Sequence, residues 1–248
     1  PSPATNSSKQ ITTNRPLLIA YHELLTLPSA STLAVLRRER AEPQQPRKTL
    51  ALFADPVFNL ADERLTRGQT NLGAARSLGT VPENAPRFDR LPATQLEAEY
   101  ISQLVPPSER KVVLGFKANR TAALSPELSE YRYVHFATHG LLNSAQPNLS
   151  GLVLSQVDAQ GTAQNGYLRT LDVFNLKLNA DLVVLSGCRT ALGKEVNGEG
   201  LIGLTRGFMY AGARRVLASL WQVSDAATAE LMRQFYQGLL GEKKLSPA

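Results

Sequence analysis

The sequence lacks the features that define several protein classes. It holds one cysteine in 248 residues, Cys188, which excludes an internal disulfide framework and a cysteine-rich zinc site. No apolar run approaches the roughly 20 residues that a membrane-spanning helix needs, and the longest runs, such as residues 182–185, have the length of a strand. Charge of either sign is modest. The net charge of +6 permits an acidic partner but requires neither nucleic acid nor a membrane surface.

What the chain does contain favours one sizeable folded domain. Apolar residues make up 43% of it, which is enough to build a core and excludes wholesale disorder. We expect a flexible lead-in over residues 1–16 and a single domain over residues 17–248. The chain begins at Pro1 without an initiator methionine, so we expect a fragment of a longer protein. No signal peptide is recognisable, and we expect a cytoplasmic location.

Apolar patterns predict strands that alternate with helices. Thr94 and Glu97 form a capping-box pattern at the start of one predicted helix. Residues 55–91 have weak periodicity and predict a long loop, which suggests a functional or mobile segment. Alternation of this kind predicts an α/β fold with a mainly parallel central sheet and helices on both faces. The predicted strands cover residues 16–27, 49–54, 111–116, 133–138, 151–155, 181–186 and 214–221. The predicted helices cover residues 94–105, 121–128, 170–176, 199–210 and 225–240, and a short helix capped by Ser29 or Ser31 is predicted to run to residue 40.

Two of the predicted strands end on chemically reactive residues. One runs into His139 and Gly140, and the other runs through Gly187 into Cys188. Because ligands bind beyond the carboxyl ends of parallel strands, neighbouring strands would bring His139 and Cys188 together. An imidazole beside a thiol would activate it as a nucleophile, and the amides of Gly140 and Cys188 are candidates for an oxyanion hole. The alternative is a small buried cysteine and a histidine with a structural role.

These segments carry a resemblance to a known family. The runs VHFATHG (residues 134–140) and DLVVLSGCRT (residues 181–190) resemble the two signature segments of the CHAT domain, a caspase-like domain often attached to TPR repeats. The 49-residue separation of histidine and cysteine fits the spacing of about 50 residues in caspases. The resemblance extends from about residue 17 to residue 240, through the segments LPSAS (27–31), FADP (53–56), GEGL (198–201), AGAR (211–214) and SLWQV (219–223).

The resemblance implies a caspase-like three-layer sandwich and a cysteine endopeptidase that needs no cofactor or metal. Carried over to this sequence, Cys188 is the nucleophile, His139 is the general base, and Gly140 with the Cys188 amide forms the oxyanion hole. The expected partners are a peptide or protein substrate and TPR repeats in the same full-length chain. The chain departs from the family in having Gly187 where alanine is common, and we expect it to be truncated at both ends. The alternative function is a catalytically latent regulatory or interaction module.

Further residues are candidates for supporting roles. Trp221 and Asp225 would line a substrate pocket, where Asp225 would select a basic P1 side chain; the alternative is that Asp225 caps the last helix. Gly198 and Gly200 would act as hinges of a loop over the site. His135 shares a strand face with His139 but lies too far along the strand to bind one metal ion with it, so we expect a core histidine.

A glycine pattern offers a different function. Gly198, Gly200 and Gly203 match the Gly-x-Gly-x-x-Gly fingerprint of dinucleotide-binding domains, and Asp225 follows at a suitable distance. The context does not match, because the fingerprint's first glycine must lie in the turn directly after a strand. Dinucleotide binding therefore stays a minor alternative.

Overall fold

The computed structural model describes residues 46–66, 88–143, 146–187, 189–192, 199–219 and 223–241. All of them belong to one compact unit, Pro43–Pro247. The predicted strand at residues 16–27 and the short predicted helix that follows it and ends at residue 40 lie outside the described residues.

Helices separate most strands of the described chain as the sequence predicts, but the strands at residues 140–143, 167–169 and 189–192 were not predicted. The strands are β1 (Lys48–Ala54), β2 (Arg110–Leu114), β3 (Tyr131–Ala137), β4 (Gly140–Asn143), β5 (Gly151–Val153), β6 (Tyr167–Arg169), β7 (Leu182–Leu185), β8 (Arg189–Leu192) and β9 (Val216–Ala218). The α-helices are α1 (Glu63–Thr66), α2 (Ala93–Gln103), α3 (Arg120–Ala123), α4 (Thr170–Phe174), α5 (Glu199–Tyr210) and α6 (Asp225–Leu240). Single 3₁₀ turns lie at Pro107–Glu109, Gly115–Lys117, Pro126–Glu130 and Pro147–Leu149.

The described strands form two sheets. Five of them make a parallel central sheet in the order β2-β1-β3-β7-β9. Four make a smaller mixed sheet in the order β6-β5-β4-β8, in which β4 and β8 run parallel. The smaller sheet begins directly after β3 and β7 end, so it stands at the carboxyl edge of the central sheet.

Strict alternation along the central strands builds a core on each face. Leu50 and Leu52 of β1 pack with Ile101 of α2 and Tyr236 of α6. The intervening Phe53 belongs to the other core and stacks on Phe136 of β3, with ring centroids 5.0 Å apart. Each fully buried side chain of this size stabilises the fold by about 1.5–3 kcal/mol relative to exposure. The result is a three-layer α/β sandwich, which confirms the predicted fold class.

The start of α2 differs from the prediction. The helix begins at Ala93 with Pro92 at the N-cap, and Thr94 lies inside the first turn without capping it. Thr94 instead accepts a hydrogen bond from the Asp55 amide, and Glu97 is buried. The capping-box prediction is therefore wrong, because contacts with the central sheet draw both side chains inward.

The helix predicted at residues 121–128 is also interrupted. Helix α3 ends at Ala123, and a separate 3₁₀ turn follows from Pro126. Proline disfavours a helical conformation in the residue before it, here Ser125, so the helix cannot continue. Within the described residues, no helix has the length and apolar character needed to cross a membrane.

The order of the central strands marks the place where a ligand would bind. The chain leaves β1 in one direction to β2 and then returns to place β3 on the other side of β1. Crevices at such a reversal, beyond the carboxyl ends of the strands, are the usual ligand sites of parallel sheets. Ala54 of β1 lies opposite Ala137 of β3, so Asp55 and Thr138 leave the sheet side by side.

Candidate active site

His139 lies two residues beyond the end of β3, at this crevice. The residue is 8% exposed, and its ring packs against Phe58 and Phe88, with ring centroids 5.0 and 5.4 Å away. Burial lowers the pKa of His139 below its ordinary value of 6.5, against smaller opposing effects from Asp89 and from the charge of Asp225. The imidazole is therefore predominantly neutral at neutral pH and able to accept a proton.

A backbone carbonyl selects the tautomer of this imidazole. Nε2 of His139 lies 2.8 Å from the carbonyl oxygen of Asp89. A carbonyl oxygen only accepts hydrogen bonds, so Nε2 carries the proton and donates it. The neutral ring then has its basic lone pair on Nδ1.

The residues that flank His139 and Cys188 are neighbours. Gly140, which follows the histidine, pairs in register with Arg189, which follows the cysteine. Gly187, which precedes the cysteine, packs so tightly against Thr138 that a Cβ at Gly187 would overlap the Thr138 carbonyl oxygen. Cys188 itself lies outside the described residues.

A buried polar cluster lies beneath the turn that leads to Cys188. His135 is fully buried, as predicted for a core histidine, and its Nε2 lies 2.9 Å from Oγ of Ser186. Its Nδ1 lies 3.0 Å from the hydroxyl of Tyr236, whose pKa burial raises well above its usual range. Oε1 of Glu97 lies 2.8 Å from the same Nε2, without a hydrogen-bond alignment. The cluster ties α2, β3, β7 and α6 together.

Asp225 lies at the first position of α6 and reaches across to α2. Its Oδ2 accepts a hydrogen bond of 2.9 Å from the amide of Ala93, so it caps the neighbouring helix. Burial raises the pKa of this carboxyl group above its ordinary value of 3.8. The charge of Asp225 also opposes the lowering of the His139 pKa, as the last and smallest of the effects on that imidazole.

The other predicted site residues fall at or beyond the edge of the described chain. Trp221 and Gly198 lie outside the described residues. Gly200 lies in the first turn of α5, and Gly203 lies farther along the same helix. Both glycines therefore lie within α5, and the first glycine of the dinucleotide fingerprint, Gly198, falls outside the described residues.

A small cavity of about 30 Å³ lies beside Gly140 and Gly187 in the crevice. It is mostly apolar and has room for little more than a water molecule. Among the described residues, no group of three or more His, Cys, Asp or Glu side chains is arranged to hold a metal ion. The cavity is lined by Thr138, Gly140, Leu142, Leu152, Leu185, Gly187, Leu201, Leu204, Ala218 and Ser219.

The sequence did not predict the two groups near the end of β1 that position His139, the Asp89 carbonyl and the Asp55 side chain. The carbonyl of Asp89 leaves no trace in a side-chain pattern. Asp55 could have been found, because it directly follows a buried strand, as His139 and Cys188 follow theirs. It is 4% exposed and binds the guanidinium groups of both Arg64 and Arg90.

Comparison with known proteins agrees with the sequence resemblance. The mouse and human proteins named tetratricopeptide repeat protein 28 are each 30% identical to this chain, over 190 and 192 residues respectively. These matches cover 63% and 64% of this chain but only 7% of each relative. A solved flavodoxin of Streptococcus pneumonia TIGR4 aligns with 79% of this chain and 100% of its own length, at 12% identity and a TM-score of 0.37. The model of the CHAT domain family matches residues 4–248, so this chain belongs to the CHAT domain family.

Proposed function

We propose that this chain is a cysteine endopeptidase domain with Cys188 as nucleophile and His139 as general base. The observation that supports the proposal is the parallel register that pairs Gly140 with Arg189. Consecutive Cα atoms are 3.8 Å apart, so Cys188 is tethered within that distance of both Gly187 and Arg189. The residues on both sides of Cys188 therefore lie at the carboxyl edge of the sheet that also carries His139, which supports the proposal.

The chemistry follows from the state of the imidazole. Nδ1 of His139 takes the proton from the thiol, and the thiolate attacks the carbonyl carbon of the scissile peptide bond. The amides of Gly140 and Cys188 donate hydrogen bonds to the oxyanion. His139 then gives its proton to the leaving amine, and water hydrolyses the acyl-enzyme to free the carboxyl product.

The test uses the single cysteine of the chain. The rate of alkylation by iodoacetamide against pH reports the thiol pKa of Cys188 alone. We expect a value below the free-thiol value of about 8.5, and a return toward 8.5 in His139→Gln and in the unfolded chain. A library of peptides should be cleaved by the wild-type chain and not by Cys188→Ala. A native thiol that titrates like the unfolded one would contradict the dyad.

The burial of His139 favours a second candidate, a domain that is latent until a partner opens the site. The residue is 8% exposed and its ring packs against Phe58 and Phe88, which leaves little access for a peptide. A latent site would react with iodoacetamide but not with a bulky peptide chloromethyl ketone. Reaction of both probes at comparable rates would support a competent site and contradict latency.

A further inference from the structure

The position of the Asp89 carbonyl depends on a segment with little secondary structure of its own. Residues 88–91 lie before α2 and belong to no strand of either described sheet. Phe88 packs into a small apolar cluster with Phe58, Leu141 and Val153. On the other side of Asp89, Arg90 is held by hydrogen bonds to the Asp55 carboxylate.

Arg90 grips Asp55 through both carboxylate oxygens. Its Nε lies 2.9 Å from Oδ1 and its Nη2 lies 2.9 Å from Oδ2 of Asp55. A planar guanidinium that binds a carboxylate in this two-pronged way is fixed in direction as well as in position. Since Arg90 follows Asp89 directly, the grip also restrains the Asp89 carbonyl.

Asp55 is itself a rigid anchor. It follows β1 directly with φ of +49°, a conformation that costs energy for a residue other than glycine. Its amide donates to Thr94, and Arg64 binds both its carbonyl oxygen and Oδ2, at 2.9 and 2.7 Å. These contacts hold the carboxylate at the carboxyl end of β1, beside the end of β3 that carries His139.

A stabilising role alone explains this arrangement poorly. An ion pair with a buried carboxylate gains little net free energy, since the cost of desolvating the carboxylate offsets much of the attraction. Asp55 is 4% exposed and still engages two guanidinium groups. The pair instead fixes the orientation of the Asp89 carbonyl, which connects the end of β1 with His139 beyond the end of β3.

We propose that Asp55 and Arg90 are positioning residues that hold the Asp89 carbonyl against His139 and so keep Nδ1 as the basic nitrogen. The inference rests on the proposed function for its catalytic meaning. Without the grip of Arg90, the carbonyl moves away, and the imidazole redistributes its proton between Nδ1 and Nε2. A displacement of about 1 Å in such a support costs up to about 100-fold in rate.

The test compares three variants of the same guanidinium contact. Arg90→Gln removes the charge and the fork, and Arg90→Lys keeps the charge but loses the fork. Glu63→Gln is the matched control, because Glu63 binds Nη1 of the same arginine at 2.8 Å from the solvent side. Nitrogen-15 NMR of the imidazoles reports the tautomer of His139 directly, with the signals of the three histidines assigned by single substitutions. Thermal unfolding shows whether each variant is folded.

The expected result is a single Nε2–H tautomer in the wild type and in Glu63→Gln, and a mixed population in both Arg90 variants. Iodoacetamide labelling of Cys188 should slow by about 10- to 100-fold in the Arg90 variants at neutral pH. A folded Arg90→Gln or Arg90→Lys chain that keeps the single tautomer would overturn the positioning role. If the Arg90 variants change the tautomer but the thiol of the wild type is not activated, the positioning role is upheld and the peptidase proposal is rejected.

Discussion

At the scale of single residues, the backbone at Gly187 leaves no room for a side chain. A Cβ there would overlap the carbonyl oxygen of Thr138 and also crowd the Thr138 amide nitrogen, 3.2 Å away. The family resemblance leads us to expect alanine at this position, and from the sequence alone the exchange is a small change within the same tight turn. In this chain the backbone of Gly187 contacts the backbone of Thr138, just beyond the end of β3, so an alanine at position 187 requires the backbone to move.

We therefore expect Gly187→Ala to lower the free energy of unfolding by about 1–3 kcal/mol and to slow the labelling of Cys188. Gly203→Ala is the matched control. It lies inside α5, where an added Cβ would meet nothing within 4 Å, so it should stabilise the helix by up to about 1 kcal/mol. Urea unfolding of both variants checks the pair. Equal stability of Gly187→Ala and the wild type would show that the turn can shift freely.

At the scale of secondary-structure elements, the crevice is assembled by contacts between elements that are distant in sequence. Asp225 at the start of α6 caps α2, which begins 132 residues earlier in the chain. The buried cluster of His135, Ser186 and Tyr236 joins β3, β7 and α6 beneath the same crevice. The segments that carry the candidate catalytic residues are therefore supported from the α2 and α6 side of the sheet.

The two roles of Asp225 are separable by substitution. Asp225→Ala removes the cap of α2 and should cost about 1 kcal/mol of stability, whereas Asp225→Asn keeps an acceptor for the Ala93 amide and removes only the charge. If Asp225 selects a basic P1 side chain, Asp225→Asn should lose cleavage of peptides with Lys or Arg at P1 and keep cleavage of neutral ones. Unchanged preference in a folded Asp225→Asn chain would leave Asp225 a structural role alone. Peptide cleavage and urea unfolding measure the two effects.

At the scale of the whole molecule, the burial of His139 links folding to pH. Its pKa in the native state lies below 6.5, the value it regains on unfolding. As pH falls below 6.5, the unfolded chain binds a proton before the native chain does, so this group contributes a loss of stability on acidification. Above 6.5 the imidazole is neutral in both states, and the contribution vanishes.

We expect the wild type to lose more stability than His139→Gln between about pH 7 and pH 5.5. The measurement is urea unfolding of both chains at the two pH values. Carboxyl groups with lowered pKa values, such as Asp62 and Glu127, titrate alike in the two chains and cancel in the comparison. A wild type that loses no more than the variant would mean that native His139 is solvated well enough to keep its ordinary pKa.

The fold follows from patterns that are local in the sequence. Continuous apolar runs such as residues 182–185 predict buried central strands, and the helix at residues 225–240 is found with its predicted ends. Helix α2 was predicted within two residues at each end, although its capping was not. These features succeed because strand and helix periodicity depend on side chains a few positions apart.

The candidate site was predicted from the sequence only in part. The sequence alone determined that His139 and Cys188 follow buried strands, because each lies at the end of an apolar run. Only the tertiary structure decided that Asp55 and Arg90 support His139, that Asp225 caps α2, and that the Asp89 carbonyl selects the tautomer. Every residue has a main-chain carbonyl, so its role leaves no mark in the sequence. An ion pair between residues 35 positions apart follows neither helix nor strand periodicity. Such contacts exist only once the ends of β1 and β3 have met.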